Sequence, residues 1–426
     1  MDLYSELEWR GLVYDATEGL RGVLARERVT GYIGFDPTAT SLHVGTLVPI
    51  LALARMQRLG HAPIAIVGGG TGLIGDPSGK SAERTLMTAD QVEANVAALR
   101  NQLSRFLDFE VTTNPARLVN NAEWLTRLGA VELLRDVGKH FTVNYMLAKE
   151  SVKRRIGSDE GISFTEFSYL LLQSYDFVML YDRFGCTLQM GGSDQWGNIT
   201  AGIDLTRKLR GAKVHGLVLP LVTTASGTKF GKTEAGTVWL DAELTKPYEF
   251  YQFWLNTDDR DAVRYLKFFT FLPQDRMREL EAVTARTPER REAQRELARE
   301  VTRLVHGGAA VREAEAAGEK LFAGNILEMT APELLRVFSH VPSSQTAYAP
   351  EGWPITEFLT ANRVTSSKSE AVRLIKGGGI SVNTRRVTDE KQRVRPDEAI
   401  AGEFFVIRKG KKDNYLVKIL KGLTPS

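Results

Sequence analysis

The sequence predicts an α/β protein: a parallel sheet covered by helices, followed by an α-helical domain and a small, basic α+β domain. Three observations predict it. Short apolar runs alternate with longer helix-periodic segments through the first half, 247–321 is almost continuously helix-periodic, and the charge balance changes sign near residue 350.

The opening MDLYSELEWRGLVYD is acidic and amphipathic, where an export signal would be basic and then apolar. Runs at 29–35, 62–67, 186–190 and 216–222 read as strands of a parallel sheet, with 43–59 and 194–210 as helices between them. Between about 90 and 180 helical patterns cluster, and only the apolar stretch at 109–111 suggests a strand. That region is expected as a helical insertion or layer on the sheet. From residue 247, YEFYQFWLN opens aromatic-rich helices that pass into charged turns such as TPERREAQRELAREVTRLVHG. SHVPSSQTAYAPEGWP lacks periodicity and is rich in Pro, Ser, Ala and Gly, so 339–353 is expected to be a linker.

With 43% hydrophobic and 25% charged residues, the 426-residue chain has an ordinary globular composition and room for two or three domains. Its net charge of +3 names no partner, but the charge is unevenly placed: +6 over 351–426 and −3 over the first 350 residues. The single cysteine, Cys186, excludes an intramolecular disulfide, and the sequence holds no CxxC and no HExxH. A reducing, cytoplasmic setting is expected. No run approaches the roughly 18 apolar residues of a membrane span, so neither export nor membrane embedding is expected.

Five segments carry polar chemistry. In GYIGFDPTATSLHVGT (31–46) a strand enters a loop and then a helix. Gly34 lets a ligand approach the strand, Asp36-Pro37-Thr38 is a turn with exposed oxygens, and His43 sits beside Gly45 where a phosphate could rest. A lone histidine at a helix start is more commonly a cap or a surface residue. IVGGGTGLIGDPSGKSAER (66–84) holds six glycines before Lys80. It is not a P-loop, because Ile74 stands where the first glycine is required. Asp76 in that loop can pair with a ligand ammonium, or simply belong to a solvated turn. In ISFTEFSYLLLQSYD (162–176), helical spacing puts Tyr169, Gln173 and Asp176 along one face, which is either a binding face or the wet face of the helix. QMGGSDQWGN (189–198) ends a strand at Gly191-Gly192. Asp194 follows where a carboxylate can hold ribose hydroxyls or merely cap a helix. GTKFGKTEAG (227–236) carries Lys229 and Lys232 around a glycine, and mobile cations of this kind can follow charge onto a leaving phosphate. A lysine pair in a loop is more often solvated surface.

Order and context lift these segments above their separate readings. HVGT after the first strand and KFGKT downstream resemble the HIGH and KMSKS signatures of class I aminoacyl-tRNA synthetases. GFDPTATSLHVGT, GLIGDPSGK, GISFTEFSY, GGSDQWGNI and GTKFGK together resemble the bacterial tyrosyl-tRNA synthetase family over nearly the whole chain. The resemblance implies a Rossmann-type catalytic domain with a helical insertion at 1–223. It further implies the KFGKT loop with a helical anticodon-side domain at 224–338, and a homodimer. The implied reaction is tyrosine–tRNA ligation: ATP activates tyrosine to tyrosyl-adenylate, and the amino acid then passes to the 3′-terminal adenosine of tRNA(Tyr). ATP enters as a substrate with Mg²⁺, and no tightly bound cofactor is expected. No protein nucleophile is required, because adenylyl transfer proceeds largely by positioning and electrostatics.

By resemblance, Tyr32 and Asp176 bind the substrate phenol, Asp76, Tyr169 and Gln173 its ammonium, and Gln195 its carboxylate. Gly34, Gly192 and Asp194 hold the ribose, and Asp36, Gly45 and Thr46 complete the ATP site. Thr38, His43, Lys80, Arg84, Lys229 and Lys232 bind the phosphates and the departing pyrophosphate. Thr46 stands where the HIGH signature has its second histidine, so that contact is not carried over. Phenylalanine would leave Tyr32 and Asp176 buried and unpaired, which removes the need for an editing domain. The tail, ITEFLTANRVTSSKSEAVRLIKGGGISVNTRRV, resembles a small RNA-binding module shared with a ribosomal protein, giving an RNA-binding domain at 354–426. Arg363, Lys368, Arg373, Lys376, Arg385 and Arg386 form its candidate phosphate face.

Three alternatives compete. A tryptophanyl-tRNA synthetase shares both signatures, but Tyr32 and Asp176 suit a phenol. A small-molecule adenylyltransferase would lack the second lysine motif and the basic tail. A non-catalytic RNA-binding protein has only Thr46 in its favour.

Overall fold

The computed structural model describes residues 1–75, 87–157, 161–227, 230–233, 236–322, 326–338, 341–410 and 413–420. The chain divides into two compact units, 1–244 with 254–305, and 245–253 with 306–426.

The first unit is built on a six-stranded sheet: β1 (Asp15–Ala16), β2 (Thr30–Phe35), β3 (Ala62–Val67), β4 (Arg117–Asn120), β5 (Cys186–Gly192) and β6 (His215–Leu219), in the order β1-β6-β5-β2-β3-β4. All neighbours are parallel except β1, which runs antiparallel to β6. β3 and β6 are buried at every position, which is why central parallel strands read as unbroken apolar runs. The sheet grows from β2 in both directions, through β3 to β4 on one side and through β5 to β6 on the other. The gap beyond the carboxyl ends of β2 and β5 is therefore the point where an open α/β sheet binds ligands.

Helices Leu47–Arg58, Phe164–Phe184 and Trp196–Arg210 cover the sheet. Phe164–Phe184 starts at Ser163, whose side chain accepts from the Glu166 N–H, and stops at Gly185 in a left-handed conformation. The strand expected near 109–111 is absent, and the edge strand is Arg117–Asn120 instead. With four residues and polar ends, it has too little apolar pattern to read.

The helical stretch at 224–338 is divided between the two units. Residues 254–305 belong to the unit of the sheet. Phe230 packs against Trp254, Tyr265 and Phe269 with ring centroids 5.6, 5.0 and 5.2 Å away. Two buried arginines then cap the carbonyl end of helix Asp259–Phe269. Arg55 donates to Phe268 O at 3.0 Å and Thr270 O at 2.7 Å, and Arg10 to Lys267 O and Thr270 O, both at 3.0 Å. Cations at a helix carboxyl end satisfy its orphan carbonyls and complement its dipole.

In the second unit, helix Ala331–Val337 precedes a five-stranded sheet. β7 (Lys232–Thr233) and β8 (Gly236–Thr237) form a separate hairpin in the first unit. The tail then adds β9 (Ser343–Ala347), β10 (Trp353–Pro354), β11 (Ile380–Val382), β12 (Arg385–Arg386), β13 (Arg393–Val394), β14 (Phe404–Lys409) and β15 (Asp413–Leu420). The larger tail sheet has the order β12-β11-β14-β15-β9. The expected linker at 339–353 thus contains a strand, since β9 pairs in parallel with β15 from Ser343 to Ala347. Helices Ile355–Ala361 and Lys368–Lys376 pack on this sheet around Phe358, Ile375, Phe405 and Val417. β11 turns into β12 through Asn383 and Thr384, both at positive φ, as a two-residue hairpin requires.

Candidate active site

A cavity of about 180 Å³ opens at the carboxyl ends of β2 and β5, at the switch point. Its lining includes Tyr32, Gly34, Asp36, Tyr169, Gln173, Asp176, Gly192 and Gln195, all anticipated from sequence. Thr71, Asn121, Gln189 and Met190, not anticipated, line it as well.

The floor is built around Asp176, 4% exposed, and Tyr32, 1% exposed. Trp124 Nε1 donates to one Asp176 oxygen at 2.7 Å and Asn121 Nδ2 to the other at 2.9 Å. Burial pushes the Asp176 carboxyl up to about 7. The two hydrogen bonds oppose that rise, and the charge of Asp36 adds to it. Tyr32 stands edge-on to Phe177 at 5.3 Å, and its hydroxyl is buried without a partner among the described residues. Burial first, and then the Asp176 charge, push its phenol well above 10.0. A buried polar atom without a partner is costly, so this hydroxyl is poised for a ligand. Gln189 Oε1 is likewise buried without a partner.

Asn121 ties the floor to the glycine loop. Its side chain accepts from the Gly70 N–H at 2.8 Å and donates to Thr71 Oγ1 at 3.0 Å as well as to Asp176. The loop must lie close: a Cβ on Gly68 would sit 2.6 Å from Thr71 Oγ1 and 3.2 Å from Asp36 Oδ1. On the far wall, Asn198 Nδ2 donates to Gln173 Oε1 at 2.7 Å and to Gln195 Oε1 at 3.0 Å.

The loop after β2 brings the HVGT segment to the lysine loop. Val44–Thr46 is a single 3₁₀ turn capped by His43, whose Nδ1 accepts from the Gly45 N–H at 3.0 Å. That bond leaves the ring proton on Nε2. Thr46 Oγ1 turns back to the His43 carbonyl at 2.6 Å, closing the turn locally. Val44 N–H donates to Val238 O at 3.0 Å, and Val238 N–H to Gly231 O at 3.1 Å. Gly231 has φ 86, and a Cβ there would sit 3.0 Å from Val44 Cγ2, so KFGKT requires glycine at this point. Thr38 is exposed, its N–H donating to Asp36 O at 2.9 Å. Asp194 is also exposed, and its carboxylate lies 2.6 Å from where a Cβ on Gly192 would be. Asp76, Lys80, Arg84 and Lys229 lie outside the described residues, as does the Lys232 side chain; the Lys232 backbone forms part of β7.

In the tail, Arg363, Arg373, Arg385 and Arg386 are exposed, while Lys368 pairs with Glu357 at 2.8 Å and Lys376 with Glu390 at 3.0 Å. Exposed pairs of this kind are weak and yield readily to a stronger anion. Cys186 is buried, which raises its thiol to about 12 and leaves it inert as a nucleophile.

The family of class I tRNA synthetases for W and Y matches residues 24–323, and the tyrosine--tRNA ligase SYY-like C-terminal domain matches 333–417. A tyrosine--tRNA ligase from Roseiflexus castenholzii is 54% identical over 98% of this chain and 99% of that protein. One from Bacillus caldotenax is 55% identical over 98% of this chain and 100% of that protein. Among solved structures, a C-terminally truncated mitochondrial tyrosyl-tRNA synthetase from Aspergillus nidulans matches with TM-score 0.69 and 32% identity, covering 75% of this chain and 94% of that one. The chain therefore belongs to the tyrosine--tRNA ligase family of class I aminoacyl-tRNA synthetases.

Proposed function

We propose that this chain activates L-tyrosine with ATP, releasing pyrophosphate, and transfers the tyrosyl group to the 3′-terminal adenosine of tRNA(Tyr). The observation that carries the proposal is the cavity floor, where the unpartnered Tyr32 hydroxyl and the Asp176 carboxylate line one closed end. A phenol hydroxyl is both donor and acceptor, so it can donate to Asp176 and accept from Tyr32. Tyr169 and Gln173, with Asp76, take the ammonium, and Gln195 takes the carboxylate.

One oxygen of the substrate carboxylate attacks the α-phosphorus of ATP. The bond from that phosphorus to the bridging oxygen breaks, and pyrophosphate leaves; Mg²⁺ accompanying ATP would supply charge neutralisation on the phosphates. A ribose hydroxyl of the tRNA terminus then attacks the activated carbonyl, and AMP departs. Gly34, Gly192 and Asp194 hold the ribose, Asp36, Gly45 and Thr46 complete the nucleotide site, and the exposed Leu221 offers apolar surface beside Gly192. Thr38, His43 through Nε2, Lys80, Arg84, Lys229 and Lys232 bind the phosphates as charge builds on the leaving pyrophosphate.

The tail from β9 onward binds tRNA through Arg363, Lys368, Arg373, Lys376, Arg385 and Arg386, and helical residues within 224–338 face the anticodon side. A homodimer accounts for the exposed Val131, Leu134, Val143, Leu147 and Phe164. Their segments share one core cluster through Leu133, Phe141, Met146 and Leu170. No helix among the described residues is long and apolar enough to cross a membrane; the cytoplasm is proposed for the reaction because its substrates are ATP and tRNA. The test is charging of unfractionated bacterial tRNA with labelled tyrosine. ATP-dependent, acid-precipitable tyrosyl-tRNA is expected, and its absence with active tRNA would refute the proposal.

A further inference from the structure

Three amides meet at the cavity wall, and their hydrogen bonds have a direction. Asn198, buried on helix Trp196–Arg210, donates Nδ2 to Gln173 Oε1 at 2.7 Å and to Gln195 Oε1 at 3.0 Å. Gln173 Nε2 donates to the same Gln195 oxygen at 3.3 Å. Each primary amide has one acceptor oxygen and one donor NH₂. The Gln195 oxygen already receives two N–H groups, so what Gln195 offers a ligand is N–H. Gln173 keeps a lone pair on Oε1 for an incoming donor. Were the Asn198 amide reversed, both glutamine NH₂ groups would turn toward its oxygen. Gln195 would then present an oxygen to the ligand, which repels a carboxylate.

We propose that Asn198 is a positioning residue that sets the polarity of Gln173 and Gln195, and that this polarity makes the site prefer an amino acid over the corresponding amine without a carboxylate. The proposal rests on the assignment of Gln195 to the substrate carboxylate. The same polarity serves both substrate groups: Gln195 donates to the carboxylate while the Gln173 oxygen accepts from the ammonium. Neither glutamine can choose its orientation from its own position on the chain. Asn198 lies 25 residues from Gln173 and 3 from Gln195, and bridges the two helices that carry the site.

The test compares dissociation constants of L-tyrosine and tyramine by equilibrium dialysis in the full chain and in Asn198→Asp, Asn198→Ala and Gln195→Ala. Aspartate at 198 can only accept, so it reverses the polarity. Tyrosine is expected to weaken about 10- to 100-fold, the size of a lost hydrogen bond to a charged group, with tyramine held within about twofold or tightened. Asn198→Ala is expected to shift the preference the same way by less, and it keeps the test open if the aspartate variant does not fold. Equal weakening of both ligands would mark a structural role and overturn the proposal. A collapsed preference in Gln195→Ala with an intact preference in both Asn198 variants would overturn it alone. An unchanged preference in Gln195→Ala would remove the carboxylate assignment and the proposal with it.

Discussion

The buried Asp176 carboxyl couples substrate binding to pH in a way that can be worked out from its surroundings. Trp124 and Asn121 already donate to it, and the substrate phenol is to be a third donor. A carboxylate accepts all three; a protonated carboxyl loses acceptor capacity. Tyrosine therefore binds the ionised form. Burial raises this group from 3.8 to about 7, so the ionised fraction is about 0.9 at pH 8, about 0.1 at pH 6 and about 0.01 at pH 5. Tyrosine affinity should fall about tenfold from pH 8 to pH 6 and about tenfold again to pH 5. The empty protein should respond with the opposite sign. A raised carboxyl costs nothing below about pH 4, and its penalty grows as pH rises through about 7, reaching about 4 kcal/mol. Equilibrium dialysis with labelled tyrosine, and urea unfolding of the apoprotein from pH 5 to 8, read the two effects. Asp176→Asn should flatten both. Tyrosine affinity constant from pH 5 to 8, or an equal pH slope in Asp176→Asn, would refute the reasoning.

Tyr32→Phe removes a neutral hydrogen-bonding group, so kcat/KM for tyrosine activation should fall by about 0.5–1.5 kcal/mol while phenylalanine activation holds or improves; parallel losses for both amino acids in pyrophosphate exchange would contradict this. Lys232→Ala should slow adenylate formation about 100-fold or more with tyrosine binding within about twofold, since its charge acts on the leaving pyrophosphate; stopped-flow single turnovers separate the two, and a change confined to tyrosine affinity would assign the lysine elsewhere. Truncation should fall after Phe338 rather than inside β9, because cutting near residue 345 would leave part of an edge strand without β15. The shortened chain should keep adenylate formation and lose tRNA charging, and undiminished charging would exclude the tail from tRNA binding.

Strands β2, β3, β5 and β6 were legible because central parallel strands are apolar on both faces. β9, with the sequence SSQTA and every second residue exposed, has no apolar pattern, and its strand character comes from β15. The helices at 254–305 were legible as helices but not as part of the sheet unit. That placement depends on Arg10, Arg55 and Phe230, which lie far away in sequence. The face of Tyr169, Gln173 and Asp176 followed from helical spacing alone. Asn121 and Trp124 act on Asp176 across 55 and 52 residues, and no local spacing could have selected them. Thr46 gave no local sign of its role either; its hydroxyl donates to the His43 carbonyl and closes the turn there, which leaves its lone pairs to accept.

The most direct test of the central claim is ATP–pyrophosphate exchange driven in turn by tyrosine, phenylalanine and tryptophan. A cavity closed by Tyr32 and Asp176 predicts rapid exchange with tyrosine and strong discrimination against both other amino acids, because neither supplies a phenol hydroxyl to the buried pair. Exchange with tryptophan alone, or comparable exchange with tyrosine and phenylalanine, would contradict it.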